Sequence, residues 1–373
     1  AKAKLPDSGP GWHMEEVVRV RKTLVKAVEE GAYPALTVYR DFLKSEVLPK
    51  ARDQKPGADG LPGGATCYQA MIKRETGTAR SPQNLHDLGL SQVASIEAEM
   101  EVLAKAGGAK DRLSYEKALM ARPSERFDSR EAMVAHAQAW GAKAKGATGK
   151  AFRTFPKTPL EVRPVETWRE NDAPSAYDMA PSDLSRNAIF WVNAVAFADE
   201  GRYGLAALSA HEAIPGHHFQ IALAQENRAL PRFQRDLPPN AYVEGWALYA
   251  ERLAGELALY TPEERLGMLD GQRYRAVRLV VDTGLHALGW SREKAIEYQM
   301  AHAGSDRAGA ERAIDRYLTW PGQALGYSVG MIEIQEIRAD AEKRMGATFD
   351  LAAFHDVVLA NGGVPLPVVR REV

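Results

Sequence analysis

The run His211-Glu212-Ala213-Ile214-Pro215-Gly216-His217-His218 holds three of the chain's nine histidines and one carboxylate. The zinc-hydrolase pattern H-E-x-x-H sets two imidazoles one helical turn apart, so both reach one metal while the Glu acts on its water. Here the position four after His211 is Pro215, and the next histidines are His217 and His218. At about 100° per residue, His217 sits roughly 120° off the His211 face of a straight helix. His218 returns to that face, but about 10 Å further along the axis. That is awkward for two nitrogens that must each lie about 2 Å from one ion. Proline removes a helix hydrogen bond and glycine permits unusual dihedrals, so a bulge or break at Pro215-Gly216 can swing His217 beside His211. Without it, these are surface histidines next to a proline kink.

A metal held by two histidines needs a third ligand. Glu244 supplies a candidate in Tyr242-Val243-Glu244-Gly245-Trp246-Ala247-Leu248-Tyr249-Ala250-Glu251, a helical run that begins after Pro238-Pro239. Catalytic zinc sites commonly take two His and one Glu and leave the fourth position to water. Glu251, seven positions on, lies close to the same helix face but about 10 Å away. It is expected to matter little to the metal.

H-E-x-x-P-G-H-H followed by E-G-W-A-x-Y-A-E resembles the bacterial "domain of unknown function 885" family, regarded as zinc metallopeptidases. The likeness extends to YRDFLKSEVLPKAR at 39–52, GLPGGATCY at 60–68, RLVVDTGLHALGW at 278–290, PGQALGYSVG at 321–330 and FDLAAFHDVVLANGGVPL at 349–366. It covers nearly the whole chain. Members of that family carry a further helical segment before the point where this chain begins. More distantly, the layout is similar to helical carboxypeptidases and dipeptidases related to angiotensin-converting enzyme, which carry H-E-x-G-H.

The resemblance implies a mainly α fold with a small β-sheet beside the active-site helix and a deep central cleft. It implies Zn2+ on His211, His217 and Glu244, and a short peptide as substrate. Gly216-His217 keeps the Gly-His order of the related enzymes, so His217 is assigned to the metal. His218 goes to the cleft wall or to a hydrogen bond with a ligand. Glu212 is expected to take a proton from the attacking water and pass it to the leaving amine. Tyr327 or His218 is expected to donate to the developing oxyanion, although a lone tyrosine is more often core. Zinc-activated water also hydrolyses other amides and esters, and a scaffold with an incomplete site is the non-enzymatic alternative.

The elements that must position these groups are mostly helices. Apolar residues recur at helical spacing over 12–30 and 35–51. Ser81-Pro82 opens a helix that Gly107-Gly108 closes, and Ser129 to Lys145 has good helix propensity. The stretch from Lys55 to Gly64 is a loop by composition. Five prolines punctuate 152–195, and Leu160–Arg163 and Ala188–Val192 read as short strands. These form either a hairpin over the core or an edge on which an extended peptide can pair. Helices follow over 205–227, 241–260 and 262–290, and another opens after Trp320. Arg278, Asp282 and His286, four apart, share one face. They are read as groups that orient the zinc ligands, or else as a salt-bridged surface. The organisation expected is a helical region over 1–150 and a catalytic region over 151–373, integrated in one domain.

The 373 residues include 45% hydrophobic and 26% charged side chains, as in a globular chain. The net charge of −1 gives no argument for nucleic acid. The single Cys67 excludes an intrachain disulfide and a cysteine-based zinc cluster. No apolar run approaches the roughly 20 residues of a membrane span. The first ten residues do not read as a signal peptide. The absence of Met there is consistent with a removed leader or a preceding domain, and a periplasmic or secreted location is expected over a cytoplasmic one.

Overall fold

The computed structural model describes residues 13–52 and 55–373. Two compact units are present, one ending at residue 54 and one running from Lys55 to Val373. In the first, α1 (Met14–Ala27) and α2 (Tyr33–Phe42) form one helical run through a wider π-helical turn at Val28–Ala32. Pro34 falls in the first turn of α2, where its missing N–H is tolerated. The chain therefore stays helical across the break expected near residue 30. Val17 is buried, whereas Val18, Leu24, Val25, Val28, Leu36, Tyr39 and Phe42 are exposed. The helix start expected at Trp12, and the ten residues that do not read as a signal peptide, lie outside the described residues.

The second unit begins with α3 (Gly64–Thr76), α4 (Pro82–Ala106), α5 (Arg112–Met120) and α6 (Arg130–Ala147). Three strands follow: β1 (Leu160–Pro164), β2 (Ala176–Asp178) and β3 (Ala188–Val192). Then come α7 (Arg202–Glu212), α8 (His217–Glu226), α9 (Arg232–Asp236), α10 (Asn240–Glu256) and α11 (Pro262–Ala287). The chain finishes with α12 (Arg292–Ala303), α13 (Arg307–Thr319), α14 (Gly326–Met345), α15 (Leu351–Ala360) and α16 (Leu366–Glu372). The fold is mainly α with one small sheet, as expected.

Local chemistry accounts for several starts. Ser81, Ser129 and Thr261 each accept a hydrogen bond from the N–H three residues on, satisfying a donor the helix leaves free. Thr261 and Glu264 close a reciprocal capping box. Residues on both sides of position 150 then share cores. Val93, Ile96 and Met100 of α4 pack with Val277, Val281 and Leu285 of α11. Met133 and Val134 of α6 pack with Phe190 and Val192 of β3. The boundary read near residue 150 is therefore not a boundary of packing.

Two glycines set the position of α10. A Cβ on Gly245 would lie 2.4 Å from the Gly330 backbone, and one on Gly330 would lie 2.0 Å from the Ala241 carbonyl oxygen. Backbone touches backbone where α10 crosses α14, a separation that any side chain would prevent. This contact fixes the helix that carries Glu244 against the helix that carries Tyr327.

The strands differ from the hairpin reading. β1 and β3 run parallel, with Val162 opposite Phe190, and β2 pairs antiparallel on the other side of β3, giving the order β1-β3-β2. β2 was not legible in the sequence because its three residues are too few to show an alternation. Its outer edge faces α7.

Candidate metal centre

The helix expected over 205–227 is broken in two. α7 ends at Glu212 and α8 starts at His217, with Ala213-Ile214-Pro215-Gly216 as the connection. The Ile214–Pro215 peptide is cis. Gly216 folds back on the end of α7 so closely that a Cβ there would lie 1.9 Å from the His211 carbonyl oxygen. Only glycine accepts that approach. The Trp246 indole N–H, from the helix of Glu244, donates to the Pro215 carbonyl at 2.9 Å and ties the break to α10. The departure anticipated at Pro215-Gly216 is thus a full break rather than a bulge, and it brings His217 to His211. Their ring centroids are 4.6 Å apart and the rings nearly perpendicular.

Glu244 completes the cluster from α10. Its Oε2 lies 3.6 Å from His211 Nε2 and 3.4 Å from His217 Nε2. These gaps exceed an ordinary hydrogen bond of about 2.7–3.2 Å. They match the roughly 3.4 Å edge of a tetrahedron with bonds of about 2.1 Å, the geometry of a zinc site. Two imidazoles and one carboxylate fit a zinc ion in donor type and in spacing.

Glu212 also offers an oxygen within the 4.8 Å that encloses His211 and His217. Proximity alone therefore does not separate it from Glu244. Its other contact does, because the Tyr177 N–H of β2 donates to Glu212 Oε2 at 2.8 Å. One oxygen is held by the strand edge, and the carboxylate stands beside the cluster between metal ligands and sheet. Glu212 thus has one oxygen engaged outside the cluster, whereas Glu244 Oε2 faces both imidazoles.

Glu251 has a larger part than the sequence indicated. It is 1% exposed, and its Oε1 accepts from His211 Nδ1 at 2.8 Å. This bond fixes the tautomer that leaves Nε2 free for a metal, the arrangement in which a carboxylate orients a ligating histidine. Arg275 Nη2 lies 3.9 Å from the same carboxylate oxygen. Replacing Glu251 by Ala is expected to weaken zinc binding by about 10- to 100-fold, measured by competition with a chromogenic chelator. Unchanged affinity would remove Glu251 from the site.

Three carboxylates around two imidazoles leave the centre short of positive charge. Burial and Arg275 pull the His211 pKa down, but the nearby Glu244 carboxylate, the hydrogen bond to Glu251 and the Glu212 charge outweigh them and raise it to about 9. Burial pushes Glu244 up, yet His211 and His217 hold it well below the usual carboxylate range. A divalent cation answers the same deficit by displacing those protons.

His218 points away from the cluster. Its Nδ1 lies 3.4 Å from the Tyr177 hydroxyl, and burial pushes its pKa down to about 4, so it is neutral. It lines a cleft of about 690 Å³ together with Ile214, Phe219 and β1. His211 and His217 are not part of that cleft wall, so the cleft is a side chamber rather than the metal site itself. Tyr327 does not reach the histidines directly. Its ring lies 4.6 Å from the Arg278 guanidinium and 5.9 Å from that of Arg275, which leads on to Glu251.

The stripe on α11 does not orient the ligands. Asp282 accepts from the Tyr68 hydroxyl at 2.6 Å and from the Gly322 N–H, while His286 binds the Ala58 N–H and the Tyr317 carbonyl. These bonds stitch α3 and the loops at 58 and 322 to α11. The loop after Lys55 is held by this stitching.

The site is a His-Glu-His cluster on a broken helix, beside a small sheet within a mainly helical unit. The chain belongs to the family described as "Bacterial protein of unknown function (DUF885)", which it matches over residues 2–373. Among solved structures it is similar to "the putative lipoprotein from Colwellia psychrerythraea", with 36% identity and a TM-score of 0.93 over 98% of this chain. The chain spans 64% of that protein's length. A "putative lipoprotein of unknown function from Shewanella oneidensis" shares the fold, with a TM-score of 0.74 at 21% identity, over 98% of this chain and 68% of that one. No curated protein matches the chain.

Proposed function

We propose that this protein is a zinc-dependent peptidase acting on short peptides. The observation that carries the reading is the meeting of His211 Nε2, His217 Nε2 and Glu244 Oε2, with Glu212 held beside them by a strand edge. Zinc, when bound, supplies Lewis acidity and lowers the pKa of water towards about 7.

The protein's own groups do the rest. Glu212 accepts a proton from the attacking water and carries it to the leaving nitrogen, a general base turned general acid. Glu251 keeps His211 in the ligating tautomer. The outer edge of β2 lies beside the site, and its Tyr177 N–H is spent on holding Glu212. The Tyr177 hydroxyl and neutral His218 lie 3.4 Å apart where β2 meets α8. Either can donate to charge developing on the carbonyl oxygen.

No helix among the described residues is long and apolar enough to cross a membrane. The two solved relatives carry "lipoprotein" in their descriptions, which supports a place in the cell envelope, outside the cytoplasm. Metal analysis of freshly purified protein, followed by a peptide-library digest, tests the reading. About one equivalent of zinc that chelators remove, with chelator-sensitive cleavage, is the expected result. Zinc without peptide cleavage but with ester or simple amide turnover would make it a different hydrolase. Protein that takes up no zinc would leave a helical scaffold.

A further inference from the structure

Arg278 is a half-buried cation with no acid beside it among the described residues. Its guanidinium lies 4.6 Å from the centroid of Tyr327, 4.9 Å from that of Tyr274 and 5.9 Å from that of Tyr317. Nε and Nη1 are buried without a hydrogen-bond partner among the described residues. The groups acting most strongly on its charge are those three tyrosines, with no carboxylate among them. Its neighbours on α11 are treated differently. Arg273 is paired with Asp270 and Glu116, and Arg275 faces Glu251. A guanidinium cannot shed its proton, and a buried charge without a partner is strongly disfavoured. Burial pushes the Tyr274 hydroxyl up, yet the Arg278 charge, polar contacts with Tyr317 and Arg278 and the Arg275 charge together draw its pKa down. The pocket is built for an anion that the described residues do not provide.

An approach to it exists. Arg278, Tyr274 and Tyr327 all keep some accessible surface. A cleft of about 510 Å³, walled by Asn171–Pro174 and by Arg312 and Arg316 of α13, ends on Tyr274 and Tyr317. The 171–174 wall runs straight into β2, whose Tyr177 N–H holds Glu212. From the other side, Arg275 links Tyr327 to Glu251 and so to His211. The segment that walls the cleft and the segment that holds Glu212 are thus continuous in the chain.

We infer that Arg278, framed by Tyr274, Tyr317 and Tyr327, binds the C-terminal carboxylate of the substrate, so that the protein works on peptides from their carboxyl end. The inference rests on the peptidase reading above. A planar guanidinium matches a carboxylate with two parallel hydrogen bonds, which a point charge cannot. The surrounding hydroxyls add neutral donors.

Paired N-acetylated peptides, identical except for a free or an amidated C-terminus, test it on the zinc-loaded protein and on Arg278→Met and Arg278→Lys. The free acid is expected to have the higher kcat/KM by about 10- to 150-fold, the worth of a hydrogen-bonded charge. Arg278→Met should bring the acid down to the level of the amide and leave the amide and the zinc content unchanged. Arg278→Lys should recover only part of the difference. Equal rates on acid and amide, or an equal loss on both in Arg278→Met, would overturn the assignment. So would an amidated peptide bearing an internal Glu that matches the free acid, which would mark a side-chain carboxylate site instead. If Arg278→Met does not fold, the acid-to-amide ratio of the unaltered protein still decides. If no peptide is cleaved at all, the peptidase reading fails separately. Calorimetric titration of the zinc-loaded Glu212→Gln protein with the same pair then judges Arg278 alone, and no preference for the acid would reject it.

Discussion

Glu212→Gln should keep its zinc and lose about 10²- to 10⁴-fold of its turnover, the range spanned by general acid–base catalysis. The amide is nearly the shape of the carboxylate and can still accept the Tyr177 N–H through its oxygen, a bond of 2.8 Å in the native protein. It cannot take a proton from water at neutral pH. Metal content and steady-state rates on one validated peptide, measured on the same preparation, separate the two effects. Near-normal turnover would show that the base lies elsewhere. A loss of zinc in this variant would instead make Glu212 a ligand, the alternative that its closeness to both histidines leaves open.

The second large effect concerns the ligands themselves. Glu244→Ala and His217→Ala should each weaken zinc binding well beyond the roughly 10- to 100-fold attached to a supporting residue, because each removes one of three protein donors. His218→Ala should retain zinc, since its ring turns towards Tyr177 and the side chamber. Chelator competition on the three variants gives the ranking. Zinc lost in His218→Ala and kept in His217→Ala would return the assignment to the other histidine of the pair. Zinc kept in Glu244→Ala and lost in Glu212→Gln would exchange the roles of the two carboxylates.

Much of this arrangement was legible in residue order. Ser81-Pro82, Ser129 and Thr261-Pro262 announce helix starts because capping depends on side chains next to one another in the chain. Pro215-Gly216 announces a disturbance for the same reason, although a bulge and a complete break read alike until Gly216 is seen against the His211 carbonyl. What stayed hidden depends on distances across helices. Glu251 lies too far along α10 from Glu244 to share its ion, yet it meets His211 from the opposite side of the ring. Arg278, Asp282 and His286 share one face by spacing, but their partners are chosen by α3, α13 and the loop at 322. β2 escaped because three residues between prolines carry no period.

The hold on Glu212 has a further consequence. Its donor is a main-chain N–H, so every residue type except proline at position 177 presents the same group. Substitution of the Tyr177 side chain therefore leaves the base anchored, while any sideways slip of β2 carries it along. The alignment of Glu212 is a property of strand placement, and a change of side chain at position 177 leaves it in place even where it removes the hydroxyl. A comparison of sequences alone would pass over one of the contacts on which the chemistry depends.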